Sequence, residues 1–412
     1  MIACSMCNVV MAGSSSLCAV LRRSDTRYAP LPALSQISGF VPFGDDLRGD
    51  GARRTLPAVS DAGAHRSSRA RIVGMCQLAR DAWKLRLDVI EELRRAVGFD
   101  AYAWLMTDPA TSVGAAPLAD VPWLAELPHQ IRLKYLSRVN RWTALGDASV
   151  ALLHEATGGD LTQSLVWEEL LVRYGVRDAA SVVFQDRFGC WAFLELWRSS
   201  PPGTFSYAEG AFLADLVEPL TLALRRCQAG TFAAPPERNR SRAGPVVLLL
   251  SPELHVRGQT PETEEYLRVL VPPEAGRQPV PAAAYNVAAQ LLATEAGVDS
   301  NPPTARVHLT GCRWMTVRAA RIEGADPPHQ RDIAVTIEET PAAQRMDLFA
   351  RACGLSERER ELLDHLVAGS DTREVARQML LSQNTVQDHL KSIFDKTAAH
   401  SRRTLLARAL GS

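Results

Sequence analysis

The chain has 412 residues, with 46 basic and 46 acidic side chains and 46% hydrophobic content. That length provides for two or three domains, and the even balance excludes a polycation that would coat nucleic acid indiscriminately. No apolar stretch approaches membrane-spanning length, the first residues make a poor signal peptide, and the eight cysteines are scattered, only Cys4 and Cys7 having ligand spacing; reduced thiols, a cytoplasmic setting and no metal or other cofactor are expected.

Residues 1–72 carry Ser14 to Ser16, several Gly and Pro, and dispersed arginines. This composition buries little apolar surface, so a disordered tail is expected, ahead of a basic DNA-binding arm as the second reading. Met75 stands just before the first credible helix, which is compatible with a later start codon.

Over residues 76–227 the pattern alternates helices with strands. An amphipathic helix is predicted over Trp83–Val97, a hairpin over Asp100–Thr107 and Val113–Leu118, and a helix over Leu161–Tyr174. A second hairpin, Ala179–Gln185 with Phe188–Arg198, turns at Asp186-Arg187, and a closing helix over Ser206–Arg226 starts at a capping pattern. Seven of the 8 tryptophans fall here. Strand alternation puts Trp191, Phe193 and Trp197 on one face and Tyr102 and Trp104 on one face of the earlier strand. These five are candidates to line an apolar small-molecule pocket, with packed core as the blander account. The element order resembles a GAF domain, which implies an antiparallel sheet with helices on its faces.

Residues 228–244 (QAGTFAAPPERNRSRAG) read as an exposed linker. Strands are then predicted over Pro245–Leu250 and His255–Gln259, helices over Thr260–Val271 and Pro281–Thr294, and strands over Arg306–Thr310, Arg313–Ile322 and Asp332–Glu338. Residues 245–340 thereby resemble a PAS-like domain, a second sensory or dimerising module. A helix over Ala342–Cys353, within residues 341–354, is expected to couple it to the C-terminal end.

Residues 355–412 carry four short capped helices. Ser356 with Glu359, and Asp371 with Glu374, have capping-box spacing; Ser382 and Ser401 can cap the third and fourth helices, and Gly369 can end the first. Val386, Leu390, Ile393 and Phe394 form the buried stripe of the third helix, which leaves Gln387, Asp388, Lys391 and Asp395 outward, on a helix of a width that fits the major groove. From Gln383 to Arg408 the bases Lys391, Lys396, Arg402, Arg403 and Arg408 outnumber the acids Asp388 and Asp395, and two of the chain's four lysines are here.

Leu355, Ser356, Arg358, Glu359, Gly369, Val375, Ala376, Thr385, Val386, His389, Lys396, Ser401 and Arg402 stand in the register of a LuxR/NarL-type helix-turn-helix, and the segment resembles that family. Gln387 departs from its usual Lys and Thr397 from its usual Leu. The resemblance implies DNA contacts from Ser382, Thr385, Val386, Gln387, Asp388, Lys391, Lys396 and Arg402, and dimerisation through the fourth helix, where Leu405, Leu406, Ala409 and Leu410 are apolar; closure of the helical core is an equal reading of that surface. His389 is read as structural or as a backbone contact.

No Gly-rich phosphate loop, HExxH, G-x-S-x-G or receiver-type acid cluster occurs, and Asp108, Asp120 and Glu195 read as isolated polar residues. Cys190 is read as a buried structural cysteine before a reactive thiol. The expectation is a multidomain chain without enzyme activity: α+β sensory domains (GAF-like, PAS-like) followed by an all-α four-helix helix-turn-helix domain. It implies a transcription regulator whose partners are double-stranded DNA at an inverted repeat, a second copy, an unknown small-molecule ligand and RNA polymerase, with no membrane. The alternative is a sensor or scaffold whose helical end binds protein.

Overall fold

A computed structural model describes residues 61–146, 148–233, 246–263, 282–309, 313–324 and 327–411. The tail expected to end at residue 72 is helical from residue 61 onward: α1 (Asp61–Leu78) buries Ser68, Ile72 and Cys76. The rest of the tail lies outside the described residues, as do most of the helix predicted over Thr260–Val271 and residues 234–245.

Helix α2 (Ala82–Ala96), capped by the Asp81 carboxylate, leads into β1 (Ala101–Thr107) and β2 (Gly114–Asp120). Helix α3 (Leu127–Leu136), strand β3 (Val150–Leu152), and short helices α4 (Leu153–Ala156) and α5 (Leu165–Glu169) precede β4 (Asp178–Asp186) and β5 (Gly189–Arg198). The helix expected over Leu161–Tyr174 is broken into two 3-10 turns around α5, because the Ser164 side chain caps a new start at Trp167 N–H. The closing helix is also two, α6 (Tyr207–Asp215) and α7 (Val217–Gly230). Pro219 has no N–H for the Asp215 carbonyl, which accounts for the break. Ser206 and Glu209 form a reciprocal capping box on α6.

The five strands form one antiparallel sheet ordered β2-β1-β5-β4-β3. One face, with Trp104, Met106, Phe184, Leu194 and Leu196, packs under α1, α2, α6 and α7. The other face carries Leu105, Phe193 and Trp197.

The second sheet joins β6 (Val246–Leu250), β7 (Val256–Gln259), β8 (Thr304–His308), β9 (Trp314–Arg321) and β10 (Ile333–Glu339), all antiparallel, in the order β7-β6-β10-β9-β8. Counted from its own first strand, that order repeats the order of the first sheet. Helix α8 (Ala282–Glu295) buries 11 of its 14 residues, so it has no solvent face. It packs on β9 of its own sheet and on α3 and β2 of the first, and one apolar cluster runs from Val183 and Phe193 through Val287 and Ala288 to Val317 and Val335. Gly114 permits this approach. A Cβ there would lie 2.7 Å from Leu105 Cδ2 and 3.2 Å from Asn286 Nδ2.

Residues 228–233 are not the exposed linker expected. They finish α7 and place Phe232, 2% exposed, in a stack against Trp314 with ring centroids 5.3 Å apart. Phe349 of α9 (Ala342–Ala352) meets the same ring edge-on. Four helices follow: α10 (Glu357–Val367), α11 (Thr372–Gln378), α12 (Gln383–Thr397) and α13 (Arg402–Leu410).

Candidate nucleic-acid interface

Local chemistry fixes each of the last four helices. Ser356 and Glu359 form a reciprocal capping box on α10; Asp371 accepts from Glu374 N–H at 2.8 Å, Ser382 from Thr385 N–H at 3.1 Å, and Ser401 from Thr404 N–H at 3.1 Å. Gly369, at φ +90°, follows α10 in the left-handed region, where its N–H bonds the Leu366 carbonyl. Leu362, Leu363, Leu366, Val375, Ala376, Val386, Leu390 and Ile393 make the shared core.

Glu359 ties α10 to α12. Its carboxylate accepts from Lys396 Nζ at 2.7 and 2.8 Å, from Ser392 Oγ at 2.6 Å, and from Ser356 N–H at 2.7 Å. Burial alone would raise its pKa. The ammonium, hydroxyl and N–H outweigh that and hold the carboxyl at about 2.

The structure separates the expected DNA contacts into three kinds. Gln387, Asp388 and Lys391 are exposed on α12. Exposed Asn384 completes the same face at i, i+3, i+4, i+7; the sequence reading missed it, although that spacing marks it. Ser382 is exposed and Thr385 half-buried at the helix start. Val386, in contrast, is 0% exposed and belongs to the core, not the surface. Lys396 is committed to Glu359, and Arg402 donates to Thr372 Oγ1. Arg408, one of the bases in the local excess, donates to the Thr397 and Ala398 carbonyls at 2.6 and 2.8 Å and so closes the end of α12. Thr397 occupies its buried position by bonding its hydroxyl to the Ile393 carbonyl at 2.7 Å. In α13, Leu405 and Ala409 are fully buried, and Leu406 and Leu410 partly.

The five aromatics expected to line a pocket do not come together. Gln185 pairs with Cys190 and Phe184 with Ala192, which leaves Trp191 as the extra residue of a β-bulge. Trp191 therefore joins Tyr102 and Trp104 in the cluster under α1, α2 and α7, opposite Phe193 and Trp197. Phe193 is stacked on Trp142. Trp197 borders a cavity between the sheet and α3 to α5, whose other walls include Lys134, Asn140, Ser164, Ser181 and Glu195.

The three acids read as isolated are all paired. Glu195 bonds Lys134 Nζ and, at 3.0 Å, Ser181 Oγ inside that cavity; Asp108 is bidentate with Arg306; Asp120 lies 3.6 Å from Arg94. Burial pushes the Cys190 thiol up to about 11, so it is no nucleophile at neutral pH.

A four-helix domain with a buttressed third helix presenting amides, a carboxylate and an ammonium outward defines a helix-turn-helix of the major-groove type. Residues 354–409 match the family model GerE, described as bacterial regulatory proteins of the luxR family, and they form a luxR-family helix-turn-helix domain at the C-terminus. The chain is 34% identical over 85 residues to the probable HTH-type transcriptional regulator GfsR of Streptomyces halstedii, covering 18% of this chain and 35% of that protein. It is 42% identical over 48 residues to the CsgBAC operon transcriptional regulatory protein of Escherichia coli, covering 12% of this chain and 22% of that protein. The chain thus spans about a third or less of the length of these curated relatives. The crystal structure of Escherichia coli SdiA aligns over 84% of this chain and 98% of its own, with 12% identity and a TM-score of 0.33, too loose to argue from.

Proposed function

We propose that the chain is a DNA-binding transcriptional regulator in which α12 enters the major groove. Asn384, Gln387, Asp388 and Lys391 face base edges, and Ser382 and Thr385 sit at the phosphates. The observation that carries this reading is the exposed polar face of α12, with Lys396, Arg402 and Arg408 already engaged inside the domain. Amides at Asn384 and Gln387 suit adenine, and an ammonium at Lys391 suits guanine. With few cations directed outward, one domain neutralises few phosphates, which favours a homodimer on an inverted repeat. The two sheets with one strand order support the reading of residues 76–227 and 245–340 as GAF-like and PAS-like sensory units that would respond to a small-molecule signal. A cytoplasmic setting and contact with RNA polymerase follow from the same reading. Among the described residues no helix is long and apolar enough to cross a membrane.

Fluorescence anisotropy with DNA from the region upstream of the chain's own coding sequence, across a salt series, tests the proposal. Selective binding should weaken steeply with salt. Lys391→Ala should lower affinity by about 1–3 kcal/mol if it reads a base, or reduce the salt slope by about one if it holds a phosphate. Sequence-blind or absent binding by the folded protein would transfer the domain to protein contact.

A further inference from the structure

Three parts of the molecule meet at one buried arginine. Arg306 on β8 donates from Nε to Asp108 Oδ2 and from Nη2 to Asp108 Oδ1, both at 2.7 Å, which binds the second sheet to the end of β1 in the first. Its remaining nitrogen, Nη1, donates to the Gln344 carbonyl and to Asp347 Oδ2, both at 2.9 Å, on α9. The Asp108 and Arg306 side chains are 1% and 8% exposed, so both charges depend on this arrangement. Asp347 also takes Arg351 Nε at 3.0 Å, and Arg351 Nη1 reaches the Phe188 carbonyl of the first sheet at 2.9 Å. On the apolar side, Phe349 meets Phe232 edge-on, and Phe232, which follows α7, stacks in turn on Trp314 of the second sheet.

The far side of α9 holds the DNA-binding end. Helix α9 packs along α13, and Arg345 donates to the Arg408 carbonyl at 3.3 Å. A Cβ at Gly411 would lie 2.7 Å from Arg345 Nε. The turn from α9 into α10 passes equally close to the first sheet's α7, since a Cβ at Gly354 would lie 2.3 Å from an Arg225 nitrogen. Helix α13 is therefore placed by α9, and α9 is placed by both sheets at once.

We propose that Arg306 is a positioning residue through which the two N-terminal units jointly set the position of the fourth C-terminal helix. The planar guanidinium serves this role because it can keep both Asp108 oxygens and still spend a third nitrogen on α9. A change that shifts either sheet relative to the other moves the fork, and with it the face of α13 available to a second copy. The functional consequence rests on the regulator reading above; the mechanical link does not.

Arg306→Lys in the full chain separates the two. Lysine keeps a counter-charge for Asp108 but cannot span Asp108, Asp347 and the Gln344 carbonyl together. Hydrogen exchange followed by mass spectrometry should show at least tenfold faster exchange in residues 342–352 and 402–410, with α7 and β10 unchanged. Asp347→Asn, whose side chain is 38% exposed, should move the same segments if the lysine variant fails to fold. Affinity for DNA bearing two half-sites should rise at least threefold as α13 is released. Unaltered exchange in 402–410 in a folded variant overturns the proposal, as does faster exchange with DNA affinity equal to the parent. Faster exchange with no DNA binding by either protein supports the link and removes the regulator reading instead.

Discussion

The double-sheet region and the helix-turn-helix domain are held together over different distances along the chain. In the double-sheet region the polar ties that join its parts link residues 158 and 198 positions apart, Arg141 with Asp299 and Arg306 with Asp108. In the C-terminal domain the corresponding ties span three positions at the caps and 37 between Glu359 and Lys396. The first region gains its shape only when distant segments have met, while the second specifies each helix start before any tertiary contact forms. Removal of one tie should therefore be felt more severely, and across more of the molecule, in the first region.

The largest effect is expected at Arg141, whose side chain is 2% exposed and pairs with Asp299, 5% exposed, beneath α8. Arg141→Ala leaves that carboxylate buried without its partner and should cost about 3–5 kcal/mol. Chemical denaturation should still give one transition at lower denaturant, because α8 is core to both sheets. Two separated transitions would show that the sheets stand independently and would break the contrast.

A middling effect is expected at Glu359. Glu359→Gln should cost about 1–3 kcal/mol at neutral pH, because Lys396, Ser392 and the Ser356 N–H lose their charged acceptor. The folded carboxyl at about 2 lies below its ordinary 4.5, so its stabilisation is complete above about pH 4.5 and is lost as pH falls toward 2. Thermal unfolding of parent and variant should therefore converge in acid. A constant difference between them would mean that the ion pair contributes nothing. The smallest effect belongs to the shortest tie: Ser382→Ala should cost about 1 kcal/mol, read by denaturation of the chain, through loss of the Thr385 N–H acceptor.

The same difference in reach governs what could be read from the amino-acid sequence. Four N-caps and the stripe of Val386, Leu390 and Ile393 are visible because the partners lie within a turn or two, and most strands of both sheets were legible from their apolar runs. Asp108 and Glu195 looked isolated because Arg306 and Lys134 are far along the chain from them. The bulge at Trp191 breaks the alternation on which the aromatic face was predicted, and no local signal announces it. Phe232 sat in a stretch of Ala, Pro and Arg whose composition outweighed one aromatic residue. Val386 enters the DNA-contact set only through the family resemblance, while its place in the apolar stripe argues for the burial that the structure shows.

Helix α8 has a consequence for how such chains can be rearranged. A sensory module that keeps its core to itself can be exchanged for another by recombination at the intervening segment. Here, replacing residues 246–339 with a foreign module would strip the cover from Leu105, Phe193 and Gly114 and leave an apolar depression on the first sheet. The incoming module would have to bring a helix as small-sided as Ala282–Glu295, laid along the same strands. The two sheets are bound to be inherited as a pair, and changes accepted in one should be answered by changes in the other.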